Sequence, residues 1–419
     1  MILWSSVLVF LASVLPRIFQ RKVCFVYPSA DGGDDTAAIL SAFKECGRGG
    51  RVEFGNETYH IESVMNLTDL EDCTIDVKGT LLWGTDINYW LENSYPIGYQ
   101  NQSSAWLLGG TGITLSGHGY GTIDGNGQVW YDFNANRSNL AGRPHALTIV
   151  DTKDSIIEGM HFVQPQMWTM TIMNSSNVLL QDIYVNATSS NHNTTGNTDG
   201  ANTVYSDNIT FRRWVVDDGD DCIAVKANST NILIEDSVFY HGHGIAIGSI
   251  GQFPDRFERI ENVTARNITY FNTGWVFGRY LKTWTGEQNG YPPNGGGGGQ
   301  GFLQNATLHN TRSIFAIDQC ISYIGAMDGC DTSLFSLENI HFEDIHGTSK
   351  TSGVFQCSGA APCTNISLAN IDVVNPNGER LDTYQCVEGN MKDTTGISCS
   401  GPPTWDYIKY VRNHDTERD

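Results

Sequence analysis

NVLLQDIYV, residues 177–185, is the stretch whose reading decides how this chain folds. An asparagine opens it, Val178 and Leu180 alternate behind it, and a polar pair separates them from Ile183 and Val185. Strands this short cannot make an independent sheet. The pattern returns at Asn208 (NITFRRWVV), Asn231 (NILIEDSVF), Asn262 (NVTARNITY), Asn305 (NATLHNTRS), Asn339 (NIHFEDIHG) and Asn365 (NISLANIDV), with spacings of 31, 23, 31, 43, 34 and 26 residues. Looser copies begin at Gly112 (GITLSGHGY) and Asp154 (DSIIEGMHF). A repeat of that length, with a few short strands per unit, signals a solenoid whose units bury their apolar faces against one another. If coils stack about 4.8 Å apart, each strand pairs with its own next copy and the alternate Ile, Val and Leu point inward. Asparagine suits the bends because it tolerates the left-handed region and bonds its own backbone. Stacked asparagines would form a ladder along one corner.

These features predict an all-β, single-domain, right-handed parallel β-helix over residues 24–400, with 401–419 as a C-terminal tail. Gly295–Gly299 is the one low-complexity run, and it falls inside the repeat as an inter-strand loop. Residues 35–45 (DTAAILSAFKE) are the one clear helical pattern, with Asp35 placed to cap it and Ala38, Ile39, Ala42 and Phe43 on an apolar face. Such an N-terminal capping helix would cover the open end of the first coil.

The charge balance narrows the partners. With 25 Lys+Arg against 46 Asp+Glu the chain carries a net charge of −21, which repels phosphate backbones and excludes nucleic acid as a natural ligand. It is equally unhelpful toward a polyanionic sugar, so local cations would have to bind one. No apolar run reaches the roughly 18 residues that a membrane span needs. Ten cysteines, none in CxxC spacing, predict disulfides in an oxidising compartment and no metal site. A short apolar segment, Met1 to Leu15, reads as a signal peptide within residues 1–20. Thirteen N-x-S/T sequons, among them Asn56, Asn101, Asn186, Asn262 and Asn365, agree with a secreted, extracellular glycoprotein.

Acidic residues gather on consecutive repeats. Asn197, Thr198, Asp199 and Gly200 form NTDG; Asp217, Asp218, Gly219, Asp220 and Asp221 form DDGDD; Gly242, His243 and Gly244 follow. Asp199 and Asp220 are 21 residues apart, and Asp221 and His243 are 22 apart, so one coil places them on one face. Stacked carboxylates repel, and at least one should hold its proton to unusually high pH, beside a partner that does not. By themselves such residues would also suit a Ca²⁺ site or a solvated turn.

NTDG, GDDC with the IAVK that follows it, GHG, and a lysine on the next unit resemble, in order, the four signature segments of glycoside hydrolase family 28, the polygalacturonases. GTIDGNGQVWYD at Gly121 to Asp132, GRP at Gly142 to Pro144 and QMWTMTIMNSSNV around Trp168 extend the resemblance over nearly the whole chain. It implies an inverting glycosidase acting on pectin without metal or other cofactor, as a monomer. Asp220 would be the general acid. Asp199 and Asp221 would position and deprotonate the attacking water, with His243 tuning them. Asn197, Tyr280 and Lys282 would bind substrate, Lys282 by gripping a galacturonate carboxylate.

Two departures shape the expectation further. Many endo-acting members carry Arg-Ile-Lys where this chain has Tyr280-Leu281-Lys282, and YLKTW is similar to the exo-acting branch of exopolygalacturonases and rhamnogalacturonan galacturonohydrolases. The activity implied is therefore of galacturan 1,4-α-galacturonidase type, with galacturonic acid released from the non-reducing end of homogalacturonan or rhamnogalacturonan. An aromatic insertion at Asn88 to Gln100 (NYWLENSYPIGYQ) would block one end of the cleft through Tyr89, Trp90 or their neighbours. Cys222 lacks the partner often found just before GHG, where Phe239 stands; it is either a free buried thiol or paired elsewhere. An endo-acting hydrolase of the same family, a lyase on the same fold and a non-catalytic carbohydrate-binding solenoid are the rival readings.

Overall fold

The computed structural model describes residues 21–403, except 135, 136, 138, 273–278, 289–294, 313, 314 and 322–328. Residues 1–20 and 404–419, where the signal peptide and most of the tail were expected, lie outside the described residues. Nearly every strand belongs to a single continuous sheet in which all pairings between strands are parallel. Each strand pairs with its counterpart one coil away: Val178 lies against Ile209, and the row continues through Ile232, Val263, Ala306, Ile340 and Ile366. A second row runs Leu180, Phe211, Ile234, Ala265, Leu308, Phe342 and Leu368. These rows are buried and form the core of a parallel β-helix.

The predicted corner ladder is present. Asn177, Asn208, Asn231, Asn262, Asn305, Asn339 and Asn365 all have φ between 53° and 59°. Asn208 Nδ2 donates to Asn177 Oδ1 at 3.0 Å, and Asn262, Asn305, Asn339 and Asn365 each donate to the preceding asparagine at 2.8–3.2 Å. The ladder breaks at Asn231, which donates instead to Asp207 Oδ1 at 2.7 Å.

The capping helix, α1, spans Thr36–Cys46 and buries Ile39, Ala42, Phe43 and Cys46 over the first coil. Two details differ from expectation. Ala38 faces solvent, and Thr36 takes its place on the buried side. Asp35 makes no side-chain cap; its oxygens accept from Ser29 N at 2.6 Å and His60 N at 2.7 Å, and Asp34 Oδ1 takes the Thr36 N–H at 2.9 Å. Asp35 thus ties the helix to the coil beneath it. Disulfides join Cys24–Cys46, Cys320–Cys330, Cys357–Cys363 and Cys386–Cys399, while Cys73 and Cys222 are free and buried. Among the described residues, no helix is long and apolar enough to cross a membrane.

One face of the helix carries a wall. Tyr95–Pro96 pairs with Ser103–Ser104, which pairs in turn with Pro144–His145. Ile97 and Tyr99, from the loop that joins its first two strands, pack on Met167, Trp168, Met173 and Val204. Gln100 Nε2 donates to Gln252 Oε1 at 2.8 Å, across 152 residues of sequence. The carbonyl of Gln252 accepts from Gly296 N and Gly297 N, so the Gly-rich loop closes on the same point. The insertion's helix, α2 (Ile87–Asn93), does not reach the cleft: Trp90 is buried with its indole N–H on Gly84 O, and the Tyr89 hydroxyl accepts from Val64 N. The ring of Trp90 is thus consumed by the core, and the wall is built from Ile97–Gln100 rather than from Tyr89 or Trp90.

Candidate active site

Successive coils present one outward row beside the wall: Thr148, Thr171, Asn202, Ala224, Ala246, Tyr280 and Ala316 are register partners in turn. Their chain neighbours Ile172, Val225, Ile247, Leu281 and Ile317 point into the main core, as strand alternation requires. Because Ala224 and Ala246 are small, the Tyr280 side chain packs over them within its own apolar cluster.

The sequence-predicted residues meet at the rim of this row. Asn197, at φ 61°, donates both its backbone N–H and its Nδ2 to Asp220 Oδ2 at 3.1 Å. Asp220 Oδ1 accepts from Asp221 N at 2.9 Å and stands 3.2 Å from His243 Nδ1. Lys282 Nζ lies 2.7 Å from Asp221 Oδ2, and the Tyr280 hydroxyl donates to Asp221 Oδ1 at 3.0 Å. Lys282 also donates to the Tyr280 hydroxyl. Glycine is required at the turn before His243: at Gly242, φ 35°, a Cβ would stand 2.0 Å from Asp218 Oδ1. Asp220 is the more open of the two carboxylates bonded here, with 20% of its side chain exposed against 2% for Asp221.

The environment separates the carboxyls. Burial, reinforced by Asp220 and Asp221, pushes Asp199 well above the usual carboxylate range. Burial would raise Asp221 too, but Lys282, the hydrogen bond from His243 and Lys226 outweigh it and hold the group well below that range. Asp199 Oδ1 has no hydrogen-bond partner among the described residues. The cluster thus stores a proton beside a persistent carboxylate, as acid–base chemistry on one bond requires. Ligand atoms of Asp220, Asp221 and His243 lie within 4.8 Å of one another, but the Lys282 ammonium already supplies the positive charge a cation would bring.

Several groups at the site carried no role in the sequence reading. Lys226, at the end of IAVK, is 4% exposed and lies 4.8 Å over the ring of Trp168. The Trp168 ring stacks on His145 at 4.7 Å. Burial, Lys226 and Arg143 pull His145 down to about 3, so it is a neutral imidazole at any working pH. Arg143, from the GRP motif, donates to Gln166 O and to Gly196 O at 3.2 Å, fixing the turn that presents Asn197. The signal for Lys226 was its place in a motif segment; nothing in the sequence marked His145 or Asn202.

The family model for glycosyl hydrolases family 28 matches residues 61–399. This chain belongs to that family. It is 45% identical over 415 residues to an alpha-L-rhamnosidase, rgxB, of Aspergillus niger, covering 94% of this chain and 96% of the relative. It is 34% identical to the exopolygalacturonase of Cochliobolus carbonum, over 88% and 85% of the two chains. It is 32% identical to exopolygalacturonase X-2 of Emericella nidulans, over 91% and 87%. The fold matches the endo-xylogalacturonan hydrolase of Aspergillus tubingensis with a TM-score of 0.75 at 24% identity, covering 91% of this chain and 100% of that one. This family 28 chain is a right-handed parallel β-helix, a glycoside hydrolase of the pectin-degrading type.

Proposed function

We propose that this family 28 hydrolase is secreted, acts from chain ends of pectin, and releases galacturonic acid from the non-reducing end with inversion. The observation that supports the reading is the wall itself: Ile97 and Tyr99 pack on Trp168 and Met173, Gln100 bonds Gln252, and Trp168 carries the Lys226 ammonium over its ring. A wall at that place would stop a polymer from continuing past it, so the site would take a terminal sugar. Asp220, the exposed carboxyl, would protonate the glycosidic oxygen, and Asp221, kept ionised by Lys282, would deprotonate the water that Asp199 helps to hold. His243 would orient Asp220, and Asn197 would fix it through two donors. Tyr280 and Lys282 would bind substrate from beside Asp221. All these groups come from one chain, which supports a working monomer, and four disulfides among the described residues support an oxidising compartment reached through a leader within residues 1–20.

A second reading replaces the terminal galacturonate with rhamnose. The 45% relative named for that sugar supports it, as do the neutral side chains of His145 and Asn202 near the wall. Digesting homogalacturonan and rhamnogalacturonan and identifying the first product decides between them. Galacturonic acid alone supports the first reading and rhamnose the second. Mixed oligomers would overturn exo action, and an unsaturated product absorbing in the ultraviolet would mean a lyase.

A further inference from the structure

On the wall side of Asp199 the fold encloses polar groups with nothing to bond. Asn202 is fully buried, yet neither its Oδ1 nor its Nδ2 has a partner among the described residues, and the same is true of His145 Nε2 and Thr169 Oγ1. Leaving several such atoms unpaired is costly, and a native fold tolerates it where a ligand or water completes them. They adjoin one another. His145 Nδ1 is 3.0 Å from the Thr171 hydroxyl, and Thr171 is the register partner of Asn202.

Lys226 lies beside these groups, over the Trp168 ring that stacks on His145. Among the described residues its one hydrogen bond is to Gly248 O at 3.4 Å, which leaves donors of a buried ammonium unspent. Lys282, by contrast, is committed to Asp221 and Tyr280. Between the two lysines stands Gly248, at φ 121°, where a Cβ would meet Lys282 O at 2.1 Å and Lys282 Cγ at 3.0 Å. Both cations act on the carboxylate cluster, but Lys282 is bonded to it while Lys226 lies over the Trp168 ring of the wall.

We propose that Lys226, rather than Lys282, is the specificity residue for the terminal sugar: its ammonium pairs with a uronate carboxylate lying against Trp168, while Asn202 and His145 take the ring hydroxyls. The inference rests on the exo reading, since only a chain end can enter the walled recess. The test is calorimetric titration of the full chain with galacturonic acid, D-galactose and L-rhamnose. Galactose has the same ring and lacks only the carboxylate. Wild type should prefer galacturonate to galactose by between about tenfold and a hundredfold, the range of a charge-assisted pair. Lys226→Met should abolish the preference, whereas Lys226→Arg should restore part of it.

A preference unchanged in Lys226→Met, or rhamnose binding wild type more tightly than galacturonate, would overturn the proposal. If the Met variant does not fold, as judged by circular dichroism, Lys226→Gln takes its place, with the same expected loss of preference and the same overturning result. A Lys226 serving only as counter-charge to the aspartates would shift the pH profile of hydrolysis and leave the sugar ratio alone. Failure of the exo reading would show separately, as oligomers from polymer, without altering these titrations.

Discussion

Asp199 and Asp221 are driven in opposite directions by their surroundings, and the consequences for stability have opposite signs. The folded-state pKa of Asp199 lies above its unfolded value, so the fold carries a cost once the pH exceeds the ordinary carboxylate range. Asp199→Asn should therefore raise the Tm at pH 7 by roughly 1–3 °C and change it little below about pH 4, while abolishing most activity. For Asp221 the folded pKa is depressed, so its contribution is present above the unfolded pKa and is lost as the pH falls. Asp221→Asn leaves the buried Lys282 ammonium without its partner and should cost about 3–5 kcal/mol at pH 7 in denaturant titrations. Asp220→Asn alters the more open carboxyl. Asn keeps one acceptor oxygen for the donors of Asn197 and Asp221, so the Tm should fall by no more than roughly 2–4 °C, while kcat falls by roughly 10²–10⁴ with KM little moved. Near-wild-type turnover would place the acid elsewhere.

The corner asparagines act as an element because each has two separable tasks. A residue at φ near 55° pays for a Cβ there, about 1–2 kcal/mol unless it is Gly or a residue with Asn-like local bonding. The ladder bonds are the second task. Asn262 bonds upward and downward, to Asn305 and Asn231. Asn262→Gly should lose the ladder and keep the turn, whereas Asn262→Ala should lose both, so the urea midpoint should fall more for Ala than for Gly. Equal falls would mean that the left-handed backbone contributes nothing. At α1 too the contacts decide: Asp35 was read as a cap from its place before an apolar run, but its carboxylate accepts from the backbone of Ser29 and His60. Local pattern located the helix, and tertiary contacts chose the use of its first carboxylate.

At the scale of the whole molecule, the exo reading requires the wall to close one end of the cleft. Replacing residues 96–102 with a short Gly-Ser link should open the cleft's end, so that product profiles shift from monomer toward oligomers and polymer viscosity falls faster. Unchanged monomer release would show that the closed end lies elsewhere. The repeat and the catalytic cluster were legible in the chain because a coil's circumference is a sequence distance: groups about 22 residues apart come to lie one above the other, and alternation decides which face them inward. That rule is local and put Asp199, Asp220, Asp221 and His243 in one place, with Lys282 and Tyr280 on a later coil. It says nothing about what loops do after leaving the coil. Tyr99 reaching Tyr205, Gln100 reaching Gln252 across 152 residues, and Trp90 turning into the core are contacts between segments with no common register. Cys222 was equally open until burial beside Asp218 settled it as a free thiol. Sequence determined the solenoid and its carboxylates because both follow from a period. Only the tertiary structure decided which lysine is bonded to a carboxylate and which lies over the Trp168 ring, because that depends on what each side chain meets after the chain has closed around it.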